Sequence, residues 1–201
     1  MLVRTTAFGL ACLVFAACTD NSLSSDETAR RAYLGLDKSI SKSLQLGFDG
    51  FNAATSANIA PQMTAGDAAG TITVTGQVDQ GSSANKGMRL HVGMVGYSDG
   101  KIKVNDAGDT VSITYDTSTD TTMQPALTLS LKGIPTGTLT GTLMGLYHLT
   151  GDIAGDVTLN LTITGTLQDG GGGKVVRAPG TTTVTGTAVS GGGTYNVMAT
   201  I

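Results

Sequence analysis

Residues 139–167 read LTGTLMGLYHLTGDIAGDVTLNLTITGTL, and the parity of this stretch decides the fold class. Leu139, Leu143, Tyr147 and Leu149 hold the odd positions of its first part, with Gly141 and Gly145 among them, while Thr140, Thr142, His148 and Thr150 hold the even ones. The last part repeats the arrangement: Val157, Leu159, Leu161, Ile163 and Leu167 are odd, and Thr158, Asn160, Thr162, Thr164 and Thr166 are even. A period of two sends successive side chains to opposite faces of an extended strand. One face here is aliphatic and the other carries hydroxyls, which is the pattern of antiparallel strands with one buried side. Thr150-Gly151-Asp152 between the runs supplies a hairpin turn.

The same alternation spreads outward in both directions. Ile72, Val74, Gly76 and Val78 show it, as do Met88 through Met94, Val111 through Tyr115, Leu127 through Leu131, and Tyr195 through Ile201. Turn chemistry falls between the runs, at Asp99-Gly100, Asp106-Ala107-Gly108, Asp169 to Gly173 and Gly191 to Gly193. No helical pattern long enough for a parallel crossover lies among them. The chain contains 29 glycines and 32 threonines, residues suited to turns and to solvated strand faces respectively. The expected fold is therefore all-β with one N-terminal amphipathic helix. An antiparallel meander of eight or nine strands, over about residues 70–201, forms a curved sheet or barrel packed on that helix.

A weak repeat runs through the β-region: ITVTGQVDQG (72–81), LTITGTLQDG (161–170) and TTVTGTAVSG (182–191). Its middle glycines, Gly76, Gly165 and Gly186, share the aliphatic parity. A glycine there leaves space for a bulky neighbour to reach the backbone.

The helix is legible from a different period. Tyr33, Leu36, Ile40, Leu44, Phe48 and Phe51 recur at steps of three and four, whereas Lys38, Ser41, Lys42, Gln45, Asp49 and Asn52 fall off that stripe. Ser24 and Glu27 stand at capping-box spacing, and Pro61 and Gly66 mark the exit, so the helix is expected over about residues 26–58. Gly35, Gly47 and Gly50 each weaken a helix by ~1 kcal/mol relative to Ala, so the stripe must dock to stay helical. The expected arrangement lays Tyr33, Phe48 and Phe51 in an apolar groove or contact over Gly76, Gly165 and Gly186. The alternative is that these glycines only bend their strands. Arg30, Arg31, Lys38 and Lys42 form the basic side of the helix, read either as a solvated face or as a surface resting on anionic headgroups.

The first residues carry an address rather than a fold. Met1 to Arg4 bring one positive charge, and an uncharged apolar run from Ala7 to Ala17 follows, about 11 residues long against the ~20 a spanning helix needs. Val14-Phe15-Ala16-Ala17-Cys18 resembles the lipobox of bacterial lipoprotein precursors, departing from it at Phe15, where that pattern prefers Leu. The resemblance implies that residues 1–17 are a removable signal peptide and that Cys18 is acylated and becomes the first residue of the mature protein. Residues 18–25 would be a short tether and residues 26–201 a single domain. Thr19, where Asp marks inner-membrane retention in enterobacterial lipoproteins, implies the outer membrane. With Cys12 lost in the signal and Cys18 acylated, no thiol is left for a disulfide or a nucleophile.

Little in the mature chain points to chemistry. Its 11 basic and 15 acidic residues argue against nucleic acid as a partner. His91 and His148 both share the hydroxyl parity and read as surface histidines. Neither a G-x-S-x-G elbow nor an H-E-x-x-H pair is present. Gly170 to Lys174 resembles a phosphate loop only until Val175, which stands where Ser or Thr would bind Mg²⁺. Asp106 to Asp109 does not match a calcium-loop spacing, and the threonine rows lack the short regular repeat of ice-binding proteins. The expectation is a non-enzymatic envelope protein without metal or cofactor, anchored to the membrane through Cys18, with a structural role or a lipid or protein partner. The alternative is an outer-membrane β-barrel, weakened by the absence of Trp and of aromatic girdles.

Overall fold

The computed structural model describes residues 26–191 and 193–201; Cys18, the tether and Ser24 lie outside the described residues. The stripe at steps of three and four forms one helix, α1 (Asp26–Ala53). It ends before the expected position near 58 because the chain leaves it to pair with the sheet. Val78 N donates to Ala57 O (2.8 Å), Ile59 N donates to Gly76 O (3.0 Å), and Asn58 bridges Gln77.

Eleven antiparallel strands follow in one sheet: β1 (Gln62–Ala65), β2 (Ala69–Val78), β3 (Lys86–Ser98), β4 (Lys101–Lys103), β5 (Thr110–Asp116), β6 (Ala126–Lys132), β7 (Thr138–Gly151), β8 (Gly155–Asp169), β9 (Val175–Arg177), β10 (Thr183–Ser190) and β11 (Gly193–Thr200). The strands beyond the eight or nine expected are the short ones, β1, β4 and β9. Segments of three or four residues are too brief to display a period. The sheet accordingly begins at Gln62, inside the stretch expected as a loop.

β5 and β6 lie end to end and fill one position. β3 presents Tyr97 to β5 and Lys86 to His91 to β6. β7 presents His148 to Gly151 to β5 and Thr138 to Met144 to β6. Residues 117–125 bulge out between them, with a short 3₁₀ turn (Thr121–Met123) capped by Asp120. The sheet thus reads as an up-and-down meander: β1, β2, β3, β5 with β6, β7, β8, β10, β11.

β1 and β11 are the ends of this path, and α1 packs against both of them as well as against β2, β3, β5 and β10. The sheet is therefore curled around the helix, and the helix occupies the seam between its two edges. Among the helix residues whose side chains are described, Lys38, Gln45, Asp49 and Ala53 are exposed. Tyr33, Leu36, Ile40, Leu44 and Phe48 are at most 2% exposed, each contributing about 1.5–3 kcal/mol by leaving water. On the strands the aliphatic positions are buried and the threonine positions face outward. In β3 the parity slips at Gly96 (φ 53°): even positions are buried up to Met94 and Val95 faces out in step with them, but Tyr97 and Ser98 then both turn inward.

A second stripe on α1 fixes how closely the sheet approaches. Ala29, Ala32, Gly35, Ser39, Ser43, Gly47 and Gly50 are all buried and also follow steps of three and four. Large residues of the strands and of the connection after α1 fill the space these small ones leave. A Cβ on Gly35 would meet the Tyr115 hydroxyl, one on Gly47 would come within 2.9 Å of Leu90 Cδ1, and one on Gly50 within 2.7 Å of Ile59 Cδ1. Because Gly35 has no side chain, Tyr115 OH reaches the helix backbone and donates to Ala32 O (3.0 Å). Ser39 and Ser43 return their buried hydroxyls to Leu36 O and Ser39 O (2.7 and 2.8 Å). The glycines that weaken the isolated helix are the ones that let it dock.

Candidate functional site

At the strand glycines the nearest atoms belong to the neighbouring chain segments. A side chain on Gly76 (φ 133°) would first meet Arg89 O and Leu90 Cα, and one on Gly186 (φ 141°) would first meet Asn160 O and Leu161 Cα. These are main-chain atoms of the neighbouring strand. Positive φ at both positions is a conformation that favours Gly. At Gly165 the nearest atoms belong to Thr182 and Thr181. Of the three aromatic residues, Tyr33 and Phe48 are buried and Phe51 is partly buried against the core. Tyr33 stacks obliquely on Tyr195 of β11 (centroids 5.8 Å apart, 42° between planes), and its hydroxyl donates to Asp37 Oδ1 (3.0 Å). Burial, reinforced by Asp37, pushes the Tyr33 phenol above its ordinary pKa. At the helix–sheet contact these side chains belong to, or pack against, the buried apolar cluster.

The polar chemistry of the molecule gathers along the seam. Asp99, whose side chain is 1% exposed, accepts from Lys42 Nζ (2.7 Å), from the Tyr97 hydroxyl (2.5 Å) and from Asp67 N (3.0 Å). Lys42 also reaches Asp67 Oδ1 (2.8 Å), Lys38 pairs with the other Asp67 oxygen, and Lys42 Nζ stands 5.3 Å from the centre of the Tyr97 ring. Three groups around one buried carboxylate satisfy it well, which such a charge requires. Hydrogen bonds from Lys38 and then Lys42 hold the Asp67 carboxyl down at about 2. Burial, then the bond to Asp99, raises the Tyr97 phenol. This clasp ties the middle of α1 to the β1–β2 turn and the end of β3. The basic side of the helix is therefore engaged within the fold: Lys38 and Lys42 in the clasp, and Arg30 through Nη1 to Val104 O (2.9 Å). Asx pairing across such sequence distances has no local signature, so only Asp99-Gly100 was visible as a turn.

On the other flank of the seam, Arg177 ends β9 and its Nη2 donates to Ser41 Oγ (3.2 Å). Asn52 fastens the same strand, exchanging two hydrogen bonds with the main chain of Val175 (2.8 and 2.9 Å).

The outer face holds a field of threonines in register. Ser130, Thr140, Thr164, Thr183 and Thr200 are successive cross-strand neighbours, as are Thr128, Thr142, Thr162 and Thr185. A small apolar patch interrupts it where Leu146 and Val189 flank Thr158 from either side, with Met144 next along β7. His148 pairs with Asp156 across β7 and β8 (2.6 Å), but both are about half exposed, and such pairs contribute little. His91 lies on the same outward parity, opposite Thr75. The Gly170–Lys174 loop closes as a hairpin, Gly170 N donating to Lys174 O (2.9 Å). Among the described residues no group of three His, Cys, Asp or Glu side chains is placed to hold a metal ion.

Comparison with protein-family models, curated proteins and solved structures finds no match, so the residues and their geometry carry the functional reading.

Proposed function

We propose that this chain is a lipid-anchored protein of the cell envelope, held through an acylated Cys18, whose domain is a non-enzymatic structural or partner-binding module. The observation that carries the reading is the distribution of side chains. The aliphatic faces close on α1 and leave the interior packed, so the domain meets other molecules at its surface. A packed interior favours a protein partner over an acyl chain held between helix and sheet. Leu146, Val189 and Met144 offer the exposed apolar contact for one, set in a hydroxyl-rich surround. The outward threonines also weigh against a barrel embedded in lipid, whose outer face would be an apolar band ~25 Å tall. Thr19 after the acylated cysteine favours the outer membrane. No helix among the described residues is long and apolar enough to cross a membrane.

Anchoring by two or three acyl chains is firm, since each buried methylene contributes ~0.8 kcal/mol and a single chain is marginal. Cys18→Ser is expected to move the protein from the membrane to the soluble fraction and to abolish incorporation of labelled palmitate. Continued labelling of that variant would remove the anchor from the proposal.

A further inference from the structure

Six of the seven methionines fall among the described residues, and their surroundings divide them. Met88 and Met94 sit on the buried face of β3 and are at most 2% exposed. Met63, Met123, Met144 and Met198 are 62%, 68%, 47% and 82% exposed. Among the described residues, methionine supplies four of the seven exposed large hydrophobic side chains but two of the 38 buried apolar ones. The neighbouring outward positions carry polar side chains, Thr185 opposite Met198 and Asn160 opposite Met144. A solvated strand face therefore does not call for a thioether, and what distinguishes methionine there is its polarizable, oxidisable sulfur. Competing groups are absent from the surface. Residues 26–201 contain neither Cys nor Trp. Four of the five tyrosines are at most 2% exposed, and the fifth, Tyr195, packs against the core. The four outward methionines are thus the side chains of the domain most open to a two-electron oxidant.

We propose that Met63, Met123, Met144 and Met198 form a reversible oxidant-accepting surface whose substrate is a hypohalous acid. With hypochlorous acid, a sulfur lone pair attacks chlorine and displaces hydroxide. Water then adds to sulfur, and chloride and protons leave. The sum converts one thioether and one hypochlorous acid into one sulfoxide, one chloride and one proton; sulfur loses two electrons and chlorine gains them. A thiol-dependent methionine sulfoxide reductase returns the thioether, releasing the oxygen as water and leaving a disulfide on the reductant. Position makes the cycle compatible with the fold. A sulfoxide at Met88 or Met94 would put a polar oxygen into the packed core, whereas at the other four the oxygen is solvated. The oxidation draws on residues 26–201 alone and does not depend on the anchor.

The test treats the full chain, purified in detergent, with four equivalents of hypochlorite, one for each exposed methionine. The reaction is quenched with free methionine, and the added oxygen is mapped by mass spectrometry of a digest. Oxygen is expected on Met63, Met123, Met144 and Met198 at least about ten-fold above Met88 and Met94. In guanidinium chloride that difference should collapse, because the fold rather than the local sequence protects the buried pair. The urea midpoint of the oxidised protein should equal that of the untreated protein. The two epimer-specific sulfoxide reductases, supplied with dithiothreitol, should restore the original mass at all four positions. Equal oxidation of Met88 and Met94 in the native protein, a difference that persists in guanidinium chloride, a lowered urea midpoint, or sulfoxides that the reductases leave in place would each overturn the proposal.

Discussion

The two buried faces of α1 dock by opposite means. Tyr33, Leu36, Ile40, Leu44 and Phe48 project into the curled sheet and fill it, whereas Ala29, Ala32, Gly35, Ser39, Ser43, Gly47 and Gly50 withdraw and let the sheet project into the helix. The first face contributes by removing its own apolar surface from water. The second contributes by permitting Tyr115, Leu90 and Ile59 to remove theirs. A helix held this way has no spare side, apart from the narrow polar stripe at the seam.

Truncating the large face is expected to have the greatest effect. Phe48→Ala removes a ring that is 1% exposed, and a loss of about 3–5 kcal/mol in unfolding free energy is expected from denaturant midpoints. A loss below about 1 kcal/mol would mean that the face is not packed as described. Enlarging the small face is the converse experiment. Gly35→Ala gains ~1 kcal/mol of helix propensity but places a methyl group on the Tyr115 hydroxyl, so a net destabilisation on the order of 1–2 kcal/mol is expected. In a Tyr115→Phe background the colliding oxygen is gone, and the same substitution should become nearly neutral. A double-mutant cycle showing no coupling would separate Gly35 from Tyr115.

The smallest expected effect concerns the polar stripe, which is held by charge. Asp67 has a folded pKa of about 2 against an ordinary value of 3.8. A depressed carboxyl contributes stability in full above its unfolded pKa and loses it as pH falls through the folded one. Urea midpoints of the wild type should therefore decline between these two values, and Asp67→Asn should lack that part of the slope. Equal slopes in the two proteins would show that Lys38 and Lys42 add nothing through Asp67.

The unequal legibility of these features has a physical cause. Apolar periodicity exposes a large face directly, which is why the helix and the long strands were readable from Tyr33 to Phe51 and from Leu139 to Leu167. Small residues carry no such signal: Gly35, Gly47 and Gly50 register as helix weakeners until their neighbours are known. For the same reason Gly76 and Gly186 do not announce that the neighbouring strand's main chain lies close beside them. The short strands β1, β4 and β9 exist through pairing with longer neighbours, not through any pattern of their own. At the seam, Asp67, Asp99 and Lys42 converge from three places, and Arg177 meets Ser41 across 136 positions. Neither property is written in any short run of residues.

The placement of α1 also orders the assembly of the molecule in time. The helix is the first element of the described chain, yet Arg177 reaches a residue 136 positions earlier and β11 packs on the same helix last. Such distant contacts carry a large loop-closure cost before any reward, and proteins dominated by them fold slowly. An amphipathic helix must therefore wait, partly unshielded, until the final hairpin of β10 and β11 arrives to roof it. In that interval its apolar stripe lies within reach of a holdase chaperone.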